Sequence, residues 1–223
     1  MKQTGTTGWI ALLAALATVP AACGQAAKAK LMTCQNAQSD RDAIENALGY
    51  FPEDVSPLSA AVLCDDRAAV DAALAGRADP NQREPGGLTP VVIAAALSRE
   101  EILRKLLAAG GDANSYESDT GQLALAYALA AGTHRKDWRA YYTLLDHGAD
   151  VNFGGGKVTP IGEWAESLGQ FDKISELLDR GYRKDLPGLA WSVERRSAGD
   201  AAAARDRALA KLRALIAAES ERP

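Results

Sequence analysis

Histidine is nearly missing from this chain, with two residues in 223, and cysteine is almost as scarce, with three. No Cys-x-x-Cys and no His-x-x-x-His spacing occurs. The usual zinc and thiol-redox motifs are therefore absent. The Gly-x-Ser-x-Gly turn of a serine nucleophile is absent too. Of the two histidines, His147 stands just before Gly148 at a helix end, where a cationic side chain suits the dipole. His134 has Asp137 nearby but no serine or cysteine nucleophile close in sequence. No catalytic, metal or cofactor constellation emerges, so the chain reads as a non-enzyme without a cofactor. A site assembled from distant positions stays open at this stage.

Strong charge is also lacking. The formal net charge is −4, with no basic stripe, which argues against a general nucleic-acid binder. Aromatic residues make up 6% of the chain. Alanine is abundant, a composition suited to close helix packing. Long apolar runs are missing as well: the stretch from Trp9 to Val19 carries no charge but is too short for an ordinary membrane span.

What the sequence does contain is a repeated unit, clearest from Leu88 to Asn114. Thr89 before Pro90 reads as an N-cap followed by proline at the first helical position. Val91, Ala94 and Ala95 then fall on one helical face. Ile102, Leu103, Leu106 and Leu107 form the apolar stripe of a second helix. Gly110 stands where that helix must stop, and Asp112 and Asn114 are turn formers. A unit this short buries its apolar face only against copies of itself.

The copies are present. Thirty-three residues separate Ser56 from Thr89, and 33 separate Asn81 from Asn114. A third, longer copy runs from Gly121 to Asn152. A fourth starts at Thr159-Pro160-Ile161 and stops at Gly181. The Thr-Pro starts, the Leu-Leu pairs and the Gly148-Ala149-Asp150-Val151-Asn152 run resemble the ankyrin repeat family over about residues 54–183. The family's signature histidine is replaced by Ser59, Val92, Ala126 and Gly162, and the third copy has Leu123-Ala124 in place of Thr-Pro. The resemblance implies an all-α helical solenoid of about four repeats, with partner contacts made by the turn tips and the first helices.

The flanks complete the organisation. Residues 1–24 have the form of a secretory signal peptide, with Lys2, the apolar run and Pro20-Ala21-Ala22 as a small-residue cleavage region. Cys23 after Ala21-Ala22 resembles a lipobox, although Pro20 stands where leucine is usual. Lipidation there would anchor the chain to a membrane face. Export leaves Cys34 and Cys64 as a candidate disulfide, with two separate thiols as the alternative. Within 25–53, a tether precedes a helix over Ser39–Leu48, expected to cover the first repeat's open face, with Ile44 and Leu48 on its apolar side. Residues 184–223 read as C-terminal capping helices, with Asp200 capping the last.

The expected contact residues are Arg83, Tyr116 and Phe153 at successive turn tips, unless the two rings fold back onto their own repeats. His134 and Trp138 lie in the third copy's excess, expected between its two helices, unless Trp138 tucks in beside Tyr141 and Tyr142. Gly154-Gly155-Gly156-Lys157 lacks phosphate-loop spacing and reads as a turn. The function these features suggest is a monomeric, periplasmic protein-binding module. A partner protector and a toxin neutraliser are both consistent with it. A tethered envelope organiser and, more remotely, an enzyme are the alternatives.

Overall fold

The computed structural model describes residues 38–50, 52 and 54–221. The signal segment, the tether, Cys23 and Cys34 lie outside them. Among the described residues the regular structure is all helical, with no strand. The β-type pairings are isolated bridges at two turn tips, Tyr116 with Leu123 and Gly155 with Val158. The helices are α1 (Gln38–Leu48), α2 (Pro57–Leu63), α3 (Arg67–Ala75), α4 (Pro90–Ala96), α5 (Glu100–Ala108), α6 (Ala124–Arg135), α7 (Arg139–Asp146), α8 (Ile161–Ser167), α9 (Phe171–Asp179), α10 (Leu186–Arg195) and α11 (Ala202–Ser220).

Several boundaries follow from capping chemistry. Thr89 Oγ1 accepts from the Val92 N–H at 3.3 Å, and Pro90 opens α4. Ser56 caps α2 in the same way, with Pro57 at its first position. The Thr159-Pro160 start behaves differently: α8 begins at Ile161, and Pro160 holds the N-cap position, with no side-chain cap bond. The expected Asp200 cap is also displaced. Asp200 sits in a 3-10 turn, Gly199–Ala201, and α11 starts after Ala201 without a side-chain bond. Gly110 takes φ +94° directly after the C-cap of α5, a conformation that favours glycine.

Consecutive helices pair as α2 with α3, α4 with α5, α6 with α7, α8 with α9, and α10 with α11. The first helices also stack on one another, α2 on α4, α4 on α6, α6 on α8 and α8 on α10. The two C-terminal helices thus continue the stacking as a fifth pair. Ile102, Leu103, Leu106 and Leu107 are buried as the α5 stripe predicts. Phe171, Ile174, Leu177 and Leu178 do the same for α9. All belong to one continuous core.

Two placements differ from expectation. α4 is buried on every face, not on one: Pro90 to Ala96 are all buried. The reason is its position, with α2 on one side, α6 on the other, and α1 against it as well. α1 therefore meets the second unit's first helix rather than lying only over the first unit's open end. Ile44 and Leu48 are buried there. Tyr50, just beyond, brings its hydroxyl to the Gly86 carbonyl at 3.5 Å and to Glu117 at 3.4 Å.

The recurring Asp-x-Asn has a double role. In the first three copies the aspartate accepts from the N–H of the asparagine two residues on: Asp79 from Asn81, Asp112 from Asn114, and Asp150 from Asn152, all at 2.8 Å. This closes an Asx turn. The asparagine then reaches into the next unit. Asn81 accepts from the Asp112 N–H at 2.7 Å and donates to the Gly110 carbonyl at 2.9 Å. Asn114 accepts from Asp150 at 2.8 Å. Asn152 accepts from Arg183 at 2.7 Å and donates to Gly181 at 2.9 Å.

Candidate partner-binding surface

The turn tips bring Arg83, Tyr116 and Phe153 into one row. The Tyr116 and Phe153 ring centroids lie 6.2 Å apart, and the Arg83 guanidinium stands 4.7 Å from the Tyr116 centroid. Arg83 also donates to the Tyr116 carbonyl at 2.9 Å and to the Gly87 carbonyl at 3.2 Å. Arg83 is exposed and both rings are half-buried. Both rings pack against the core and also lean on a neighbouring tip. This fixes their rotamers, so a partner meeting them loses little additional side-chain freedom. The tips approach closely enough to require glycine. Gly87 has φ +82°, and a β-carbon there would strike Ser118 of the next tip. Gly121, at φ +73°, faces the Lys157 carbonyl of the third tip in the same way.

Two residues at these tips carry a role the sequence did not suggest. Glu84 and Glu117 are buried, at 5% and 2% exposure. The Glu84 carboxylate accepts from the Ser56 N–H at 2.9 Å and from the hydroxyls of Ser56 (2.5 Å) and Ser59 (2.7 Å). Ser59 lies in the first turn of α2, so a serine–glutamate pair ties the tip to α2. Glu117 accepts from Thr120 at 2.5 Å and from Tyr127 at 2.7 Å. Burial first, and then Glu117, hold the Tyr127 hydroxyl protonated well above the usual tyrosine range. Burial followed by the Glu117 charge pushes Tyr50 up to about 12. The only signal in sequence is that the two glutamates stand 33 residues apart, the same period as the turns.

The third copy's excess is not a projecting loop. Thr133, His134 and Arg135 form the last turn of a longer α6, which ends at Lys136 in left-handed conformation. His134 is exposed. Trp138 tucks against Gly132, where a β-carbon would meet the indole ring. It packs edge-on to Tyr141 at 6.0 Å. The Lys173 ammonium sits 4.5 Å from the Trp138 and Tyr142 centroids and 5.1 Å from Tyr141. It also donates to Glu176 at 2.8 Å. Trp138 thus belongs to a cation–aromatic joint between α7 and α9, so its ring is engaged within the protein. Neighbouring Asp137 is held down at about 2 by hydrogen bonds from Arg139.

The basic residues of α11 are engaged as well. Arg207 meets Asp172 at 2.9 Å, Lys211 meets Asp179 at 2.6 Å, and Arg213 meets Glu194 at 2.8 Å. His147 Nδ1 lies 2.8 Å from the Thr143 carbonyl at the end of α7, in keeping with a helix-end role. Gly155 donates to the Val158 carbonyl at 2.9 Å and closes the glycine-rich tip as a turn. No group of three metal-binding side chains occurs among the described residues, and none of their helices is long and apolar enough to cross a membrane. Compared with known proteins, the chain matches no family model and no curated sequence.

Proposed function

We propose that this chain is an ankyrin-type solenoid, exported to the bacterial periplasm, that holds one protein partner. The observation that carries this reading is the Arg83–Tyr116–Phe153 row. It places a cation and two aromatic rings, braced against each other, on three successive tips. Such residues anchor protein interfaces more often than others, and rigid anchors reduce the ordering cost of association. The regular stacking and the Asn81, Asn114 and Asn152 bridges support the solenoid part of the reading. The sequence features of residues 1–24 support export.

Affinity capture from periplasmic extract tests the binding reading. The native protein should retain one stoichiometric partner. Tyr116→Ala should lower retention at least tenfold while costing only about 1 kcal/mol of stability, the scale of one aromatic pair. Equal capture by Tyr116→Ala would remove the row from the interface. We place a Cys34–Cys64 disulfide and a lipidated Cys23 within the same proposal. Cys23→Ser should move the protein from the membrane to the soluble fraction, and unchanged fractionation would exclude the anchor.

A further inference from the structure

A cavity of about 620 Å³ opens between α8 and α10. Its walls include Glu163, Trp164, Asp185, Leu189 and Trp191. Around the cavity, Trp191 leaves 59% of its surface exposed. Even with Arg195 over the ring, an indole so open leaves a large apolar area to an occupant.

The charge of the walls selects the occupant. Glu163, Glu166 and Asp185 face one cation, Lys184. Glu166 is engaged by Arg196 at 3.3 Å, and Lys184 points to the Gly154 carbonyl at 3.5 Å. The Glu163 carboxylate makes no ion pair or hydrogen bond among the described residues, its backbone N–H donating to the Pro160 carbonyl at 3.1 Å. Asp185 keeps one oxygen on the Gly188 N–H at 3.1 Å. Burial first, then the charges of Glu163 and Asp185, raise the pKa of the Tyr182 hydroxyl, so both carboxylates act on one region. Trp191 already shows which group suits its face: the chain's own Arg195 guanidinium stands 4.2 Å over the ring. An anionic occupant would meet excess negative charge. A purely apolar one would strand the carboxylates without water.

We propose that this cavity seats an arginine or lysine side chain carried by an extended segment of the protein partner, its cationic head at Glu163 and Asp185 and its aliphatic stem along Trp191. The volume exceeds one side chain, so flanking residues of the segment enter with it. This proposal rests on the protein-binding function above and specifies the chemistry of the partner at a second set of residues, which borders the Phe153 tip through the Lys184 contact with Gly154.

The test uses capped pentapeptides, Ala-Ala-X-Ala-Ala, with arginine, lysine, citrulline or glutamate at X, titrated calorimetrically into the full-length protein. Arginine and lysine peptides should bind at least tenfold more tightly than the citrulline peptide, which keeps the shape of arginine without its charge. Glu163→Gln, an exposed change, should abolish that tenfold preference, and Trp191→Ala should weaken the cationic peptides while leaving the circular dichroism spectrum unchanged. Equal binding of the citrulline or glutamate peptide, no binding of any peptide, or no effect of Glu163→Gln overturns the proposal. Partner capture that persists in Glu163→Gln and Trp191→Ala while no peptide binds overturns only this cavity and leaves the protein-binding function standing. Charge-selective peptide binding without any captured protein does the reverse.

Discussion

Asn152→Ala isolates one rung of the asparagine ladder. The wild-type side chain accepts from the Arg183 N–H at 2.7 Å and donates to the Gly181 carbonyl at 2.9 Å. It thereby joins the third unit's turn to the turn that ends the fourth unit. Two neutral hydrogen bonds contribute about 1 kcal/mol each in net terms. Arg183 is exposed and Gly181 half-buried, so water can reach the groups left behind. That access holds the expected loss to about 2 kcal/mol instead of the larger cost of stranded buried groups. Asn152→Asp refines the test. Its carboxylate still accepts from Arg183 but has no donor for the Gly181 carbonyl, so it should lose at least half as much. Urea denaturation followed by circular dichroism reads both variants. Because stacked units couple through nearest-neighbour contacts, Asn152→Ala should also broaden the transition and lower its slope as the fourth unit and the pair after it uncouple from the third. A change below 0.5 kcal/mol with an unaltered slope, a threshold within ordinary surface-substitution effects, would show that the ladder does not couple the units.

Other outcomes follow from burial. Leu106 is fully buried in α5, so Leu106→Ala should cost about 2–5 kcal/mol in the same denaturation assay. A small effect would contradict the stacked core. Burial raises the pKa of Tyr50, Tyr127, Tyr141 and Tyr182. Their protons are held more tightly folded than unfolded, so their contribution is complete below the unfolded value of about 10 and is lost as pH rises through the folded values. Stability should therefore fall between pH 10 and about 12, and the tyrosinate absorbance of these four should appear together with unfolding. Titration of all four near pH 10 in a protein still folded by circular dichroism would refute this.

Much of the helical pattern was legible because its causes are local. Thr89 and Pro90 act on the turn they begin, Gly110 on the turn it ends, and the α5 stripe follows from spacing along one helix. The same locality explains the misses. Thr159-Pro160 copies the earlier start in letters, yet α8 begins one residue later and without a side-chain cap. The third copy's additional residues look like a loop insertion, but they lengthen α6 because Trp138 finds a seat on Gly132 and Lys173 closes over it. The basic residues of α11 stay at the surface, and only the packing of the helices brings acids of α9 and α10 within reach of them.

The sequence alone determined the period, the helix-forming segments and the turn positions, since propensity, capping and apolar spacing act within a few residues. Tertiary structure alone decided three further matters: the covering of α4 by α1, the burial of Glu84 and Glu117, and the assembly of Arg83, Tyr116 and Phe153 from tips 33 and 37 residues apart. Each depends on how one unit is set against the next. A turn residue such as Glu117 is polar, and nothing local shows whether it will face water or the hydroxyls of Thr120 and Tyr127.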